Sequence, residues 1–205
     1  MKKVTDMKKT NLILAILIAG MLFVSGAGIC TADGYTIFTY NTALPTGEMR
    51  DFITDFSWLG FTFESKWFIR GSDRLTLGFN LSWQSFYQRA QGTWTIENVT
   101  VTGTQQRYID AVPIMLTSNI HFGDWIRPYV GLQAGGAWVL QRLAVGINVY
   151  DESKWHWALA PNLGLLIPVG NIYLAVDSKY YYIFPASDTS SFAYWTYSAG
   201  LAFDI

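Results

Sequence analysis

From Leu75 to Trp83 every second residue is large and apolar: Leu75, Leu77, Phe79, Leu81 and Trp83 alternate with Thr76, Gly78, Asn80 and Ser82. Successive side chains of a strand point to opposite faces, so this stretch reads as a strand with one greasy face and one small, polar face. The preceding segment repeats the pattern, with Leu59, Phe61, Phe63, Trp67 and Ile69 set against Gly60, Thr62, Glu64 and Lys66. A soluble sheet also alternates, but its polar face meets water and usually carries Lys and Glu in quantity. Here that face carries mainly Gly, Thr, Ser and Asn. Small polar residues suit the crowded interior of a narrow barrel whose apolar face meets lipid. The expected fold is therefore all-β, a transmembrane antiparallel up-and-down β-barrel of about eight strands.

The other strands are expected at residues 35–43, 107–122, 129–141, 155–167, 172–183 and 192–205. Pro113 and Pro161 fall inside two of them. Each removes one ladder hydrogen bond, so a bulge or a local widening is expected at each. The connections at 70–74, 123–125 and 169–171 are short and carry turn chemistry. Those around 46–57, 88–105, 142–154 and 185–191 are longer and polar. Long and short connections alternate, as they do in outer-membrane barrels, and an even strand number puts both termini on the periplasmic side.

Composition agrees with a lipid-facing wall. Charged residues make up only 14% of the chain and aromatics 17%, against the roughly 25% charge usual in soluble domains. Trp58, Trp67, Trp83, Trp125, Trp138, Trp155, Trp157 and the Tyr180-Tyr181-Tyr182 run lie near expected strand ends, where they would form two interfacial girdles. The net charge of −1 lacks the basic footprint of a nucleic-acid binder.

The N-terminus reads as a secretory signal peptide over residues 1–32, leaving 33–205 as the barrel domain. Lys2, Lys3, Lys8 and Lys9 precede an apolar run from Leu12 to Val24, and small residues follow. Cleavage is placed after Ala32, with Ala27 as the alternative, and Met7 offers a second start. The chain's one cysteine, Cys30, falls within this leader, so no disulfide framework is expected in the barrel. Ile29 before it argues against lipid attachment. Without the leader the balance is ten basic against fourteen acidic residues, or −4.

The chain ends within its last expected strand. The tail Ser198-Ala199-Gly200-Leu201-Ala202-Phe203-Asp204-Ile205 resembles the C-terminal signal read by the outer-membrane barrel assembly machinery, with Ser198, Gly200, Phe203 and Ile205 as its positions. Ile205 departs from the usual final Phe. The stretches Tyr129-Val130-Gly131-Leu132-Gln133-Ala134-Gly135 and Ala160-Pro161-Asn162-Leu163-Gly164 are also similar to segments of the outer-membrane β-barrel domain family, the small OmpA-like and OmpW-like barrels. The resemblance implies structural, adhesive or small-solute roles and carries no catalytic residues across.

By phase, Glu64 and Lys66 face the lumen on the second strand, and Asp177 and Lys179 on the seventh. Arg107 enters near the outer end of the fourth. Charge inside a membrane protein is costly unless paired or wet. A salt-bridge network plugging the lumen is therefore expected, against the alternative of a water-filled lumen with unlinked charges. His121 and His156 belong to no zinc-binding spacing, and neither metal nor cofactor is expected. Asp151, Glu152 and Ser153 lie near His156, which raises a barrel enzyme acting on lipid, but sequence proximity does not supply nucleophile–base geometry. Asn98-Val99-Thr100 matches a glycosylation sequon by chance. The leading expectation is a non-enzymatic, monomeric outer-membrane barrel. Its partners would be membrane lipids, the assembly machinery and an unknown extracellular ligand, with residues 89–105 as contact surface, where Thr and Val suggest strands extending above the membrane and an edge for strand addition. A channel for small or hydrophobic solutes is the alternative, and a soluble lipocalin-like barrel is disfavoured.

Overall fold

The computed structural model describes residues 30–205, except 97–98, 124, 146–147 and 187–188; the side chains of 32, 92–102 and 148 are also left out. Of the expected leader over 1–32, residues 1–29 lie outside the described residues, and 30–32 open the first strand. Eight antiparallel strands close into a barrel in simple sequence order. They are β1 (Cys30–Thr46), β2 (Leu59–Ile69), β3 (Leu75–Ile96), β4 (Val99–His121), β5 (Arg127–Val145), β6 (Asn148–Val169), β7 (Ile172–Ile183) and β8 (Phe192–Asp204). One helical turn, α1 (Met49–Phe52), sits between β1 and β2.

The register fixes the stagger. Following partners round the wall from Thr36 leads through Ser65, Phe79, Leu116, Ala134, Leu159, Tyr182 and Ala193, and returns to β1 at Thr46, ten residues further on. Ten residues rise about 33 Å along a strand, while eight strands span about 38 Å across the sheet. The strands therefore tilt by about 40°, within the range that lets side chains fill a small barrel.

The alternation sorts side chains as the closed wall requires. Phe38, Phe61, Leu81, Leu132, Leu163, Val176 and Leu201 point outward and are exposed. So continuous an apolar surface exceeds what a soluble monomer tolerates and fits a lipid-facing band. Trp58, Trp83 and Trp157 lie toward the long-loop ends of the strands and Trp125 at a short turn, all exposed. The tyrosine run does not act as one girdle segment. Tyr181 is buried on the inward face and only its neighbours Tyr180 and Tyr182 share the outer one, because a period of two cannot put three successive residues on one side.

Neither proline produces a bulge. At Pro113 the pairs of Ser82 and Trp83 with Val112 and Pro113 drop out of the β3–β4 ladder, while the register on both sides of the gap is unchanged. Pro161 does the same to β6–β7, opposite Tyr180 and Tyr181. On their other sides both prolines stay in register, opposite Ala137 and Leu132. The missing N–H is thus absorbed as a two-pair opening. The register shift lies elsewhere, between Cys30 and Gly34 in β1.

The regions 88–105 and 142–154 are not loops. β3 and β4 stay paired up to Ile96 and Val99, and β5 and β6 up to Val145 and Asn148. Thr and Val in these polar stretches extend the hairpins well past the shorter strands β2, β7 and β8. Beyond Ser85, β3 pairs with no strand on its β2 side among the described residues.

Candidate functional site

The inward face of the barrel is layered. At the short-turn end Tyr35 meets Phe68 and Tyr173 edge-on, at 5.7 and 5.4 Å between ring centres. Its hydroxyl accepts a bond from Arg127. His121, the last residue of β4, stands 5.8 Å from the Tyr35 ring and 3.1 Å from the Thr76 hydroxyl. Aromatic rings fill this end of the lumen.

Above them lies a buried ionic cluster. Lys66 Nζ is 2.7 Å from Glu64 Oε2. Lys179 Nζ is 3.0 Å from Glu64 Oε1 and 2.8 Å from Asp177 Oδ1. The side chains of Lys66, Lys179, Glu64 and Asp177 are at most 1% exposed. Two acids face two bases, so the cluster is neutral as a whole. Charges this deeply desolvated hold together only with further hydrogen bonds. Asn80 and Gln133 donate to Glu64 Oε1 at 2.7 and 3.1 Å. Tyr129 directs its hydroxyl to Asp177 Oδ2 at 3.5 Å, and Lys66 Nζ lies 4.2 Å over the Tyr129 ring. That ring passes over Gly164, where any side chain would collide with it. On one flank an amide chain runs from Asn162 to Asn119 to Thr117, at 2.8 and 2.9 Å. On the other, Asn41, Thr62 and Ser82 link β1, β2 and β3 through bonds of 2.6 and 3.0 Å.

The long-loop half of the lumen is apolar. Phe86, Ile109, Met115, Val139 and Tyr194 belong to one buried cluster, with Ala111, Ala137, Ala158 and Ala160 as small wall residues. Met49 and Ile53 enter this cluster from the β1–β2 connection, at 2% and 0% exposure. Polar contacts fasten that connection to the rim. Ser191 donates to Glu48 Oε2 from its backbone N–H and its hydroxyl, both at 2.8 Å. Gln88 donates to Thr54 Oγ1 at 2.7 Å and accepts from the Thr54 N–H at 3.0 Å. The two bonds from Ser191 hold the exposed Glu48 carboxyl below its ordinary pKa.

Arg107 does not join the ionic cluster. It donates to the Phe52 carbonyl at 2.7 Å and to Gln105 Oε1 at 2.9 Å, with its guanidinium over the Phe52 ring. Its level on β4 is that of the connection closing the mouth. His156 is neither a surface residue nor the centre of a triad. It lies inside the wall of β6, with Nδ1 2.9 Å from the Phe184 carbonyl. Asp151 is taken by Arg142 and Glu152 by Lys154. Among the described residues no group of three His, Cys, Asp or Glu side chains could hold a metal ion.

The missed participants were Tyr129, Asn119 and Asn162, as donors or fillers, and the short helix. Inward phase could have marked the asparagines. Met49, Phe52 and Ile53, spaced three and four apart within a connection read as polar, were the signal for the helix.

In the tail, Ser198, Gly200 and Ala202 face inward, and Tyr197, Leu201, Phe203 and Ile205 outward. β8 closes the barrel on β1, where Gly200 opposes Thr39. A side chain at Gly200 would run into the Phe38 carbonyl, so the seam needs a glycine there.

No family model matches the sequence, and no curated protein does. Among solved structures, Neisserial surface protein A is similar with a TM-score of 0.56 at 13% identity, over 86% of this chain and 99% of that one. Ail, the attachment invasion locus protein of Yersinia pestis, gives a TM-score of 0.47 at 14% identity, over 83% and 97%. The N-terminal β-barrel domain of Pseudomonas aeruginosa OprF gives 0.44 at 14% identity, over 84% and 99%. At such identities the likeness is one of fold, and this chain has the fold of the small eight-stranded outer-membrane barrels.

Proposed function

We propose that the protein is a closed, non-enzymatic barrel of the bacterial outer membrane, with a lumen sealed to solutes and long hairpins presented outside the cell. One observation carries this reading. The Glu64–Lys66–Lys179–Asp177 cluster is buried and lies between an aromatic layer and an apolar one. Ions crossing the lumen would have to break all three layers. In this reading both termini and the short turns lie in the periplasm, the outward apolar band contacts lipid, and the tail from Ser198 to Ile205 is the handle for the assembly machinery. The protein works as a monomer, since a closed wall leaves no membrane-level edge to pair.

The β3–β4 and β5–β6 extensions then form the outer contact surface, with the unpartnered side of β3 beyond Ser85 as its most accessible backbone. Liposome swelling tests the sealed lumen. Reconstituted protein should swell liposomes in small sugars no faster than protein-free controls, and fast swelling would contradict the reading. Orientation is tested with single cysteines at Arg89 and Asp73. A membrane-impermeant maleimide should label the first and spare the second in intact cells.

A further inference from the structure

Above the rim the wall narrows to the sheet of β3 to β6, and on one side that sheet ends at β6. β6 joins β7 only from Ala158 onward, with the Phe184 N–H on the Trp157 carbonyl as the one bond beyond that pair. Successive residues of a strand aim their N–H and C=O groups to alternate sides. Trp155, Ser153, Asp151 and Val149 therefore aim theirs the same way as Trp157. Among the described residues none of these four pairs with a strand on that side.

A hollow of about 650 Å³ runs along this edge. Four consecutive residues of β6 line it, Val149, Tyr150, Asp151 and Glu152. Neighbouring side chains lie on opposite faces of a strand, so a space that touches all four lies beside the backbone and not over one face. Gln141 and Leu143 of β5 bound the hollow on the inward face, and Phe52 stands across from them. Phe52 is a firm wall, because Arg107 bonds its carbonyl at 2.7 Å and covers its ring. Both charged residues of the lining are acidic, Asp151 and Glu152. Arg142 and Lys154 reach them from outside the hollow, at 2.8 and 2.5 Å. These ion pairs are solvent-exposed and worth little, so both carboxylates can take a second cation.

We propose that the free edge of β6 takes up an extended polypeptide as an added antiparallel strand, and that the segment it selects has two consecutive basic residues followed by two apolar ones. Main-chain bonds to Val149 and Asp151 hold the segment. Cross-strand pairing sets its side chains. The first basic residue lies opposite Glu152 and the second opposite Asp151. The apolar pair lies opposite Tyr150 and Val149, and the residue opposite Tyr150 enters the hollow towards Phe52. This edge is chosen over the free side of β3 because the hollow and its two carboxylates lie here. The site deepens the outer contact surface proposed above, and rests on that reading only for the side of the membrane on which the partner is met.

Binding of the fluorescent peptide Thr-Lys-Lys-Tyr-Val-Thr to the protein in zwitterionic phospholipid nanodiscs, measured by anisotropy against empty nanodiscs, tests this. Nanodiscs expose both mouths of the barrel, so an error in orientation leaves the result unchanged, and the maleimide labelling described above reports on orientation separately. The parent protein should bind the peptide saturably. N-methylation of its second Lys and its Val, whose N–H groups face β6, should abolish binding, whereas N-methylation of its first Lys and its Tyr should not. Val149→Pro removes one N–H from the free edge without touching the β5 ladder, and should weaken binding by up to about tenfold. Arg89→Pro, on the free side of β3, should bind like the parent. Asp151→Lys/Glu152→Lys, with the circular dichroism of the barrel retained, should lose this peptide and bind Thr-Glu-Glu-Tyr-Val-Thr instead. No saturable binding by the parent would overturn the proposal. Equal binding of the two methylated peptides, or a loss on Arg89→Pro with none on Val149→Pro, would overturn it too.

Discussion

Lys179 Nζ lies 3.0 Å from Glu64 Oε1, joining β7 to β2 across the lumen. These strands are not neighbours in the wall, so the contact ties opposite sides of the barrel. Glu64 also takes Lys66 and the amides of Asn80 and Gln133. It is the hub of the cluster. Glu64→Ala leaves two buried ammonium groups short of their carboxylate, and should cost about 3–5 kcal/mol of stability. Glu64→Ala combined with Lys66→Met and Lys179→Met should recover much of that loss. Denaturant unfolding in a lipid bilayer reads both.

Acid should loosen the connection between β1 and β2 before it harms the wall. The Glu48 carboxyl is held below its ordinary pKa by two bonds from Ser191. A group with a depressed folded pKa stabilises its contact above the unfolded value, and that contribution is lost as pH falls through the folded value. The clasp should therefore be intact at pH 7 and open only below the ordinary glutamate range of about 4.3. Hydrogen exchange of the Ser191 amide should accelerate there relative to intrinsic rates. Glu48→Gln should remove the pH dependence.

The barrel seam sets a third expectation. Gly200 lies against the Phe38 carbonyl where β8 closes on β1. Gly200→Val should reduce the yield of closed barrel on refolding into lipid, read as the folded fraction by circular dichroism. Ala199→Val, one residue away on the outer face, should fold like the parent.

How far the fold can be read from residue order shows at Pro113. The alternation of β2, β3 and β7 follows from period-two patterning and the three short turns from turn chemistry, both of which are local properties. The effect of a proline depends on which neighbour its missing N–H would have faced, and that is set by the register of a strand distant in sequence. Pro113 keeps its place opposite Ala137 and interrupts only the β3 side. Pro113→Ala should restore protection of that ladder against hydrogen exchange, with a gain below about 1.5 kcal/mol.

The lumen is legible to the same extent. Phase alone turns Glu64, Lys66, Asp177 and Lys179 inward. That Lys179 reaches Glu64 depends on the ten-residue stagger, which no single strand encodes. Arg107 has the same inward phase but sits higher on its strand, at the level of Phe52, and so meets the connection between β1 and β2 instead. Thr and Val marked the extension of β3 and β4 within residues 89–105, whereas the polar residues of 142–154 look like loop although strand pairing persists through them.

Single-channel recording in planar bilayers tests the central claim of a lumen closed by ionic pairing most directly. The parent protein should show no steady conductance, and Glu64→Ala should add brief openings by loosening the middle of the three layers between Lys66 and Lys179. A large steady conductance in the parent, or a Glu64→Ala barrel that inserts yet stays as silent as the parent, would contradict it.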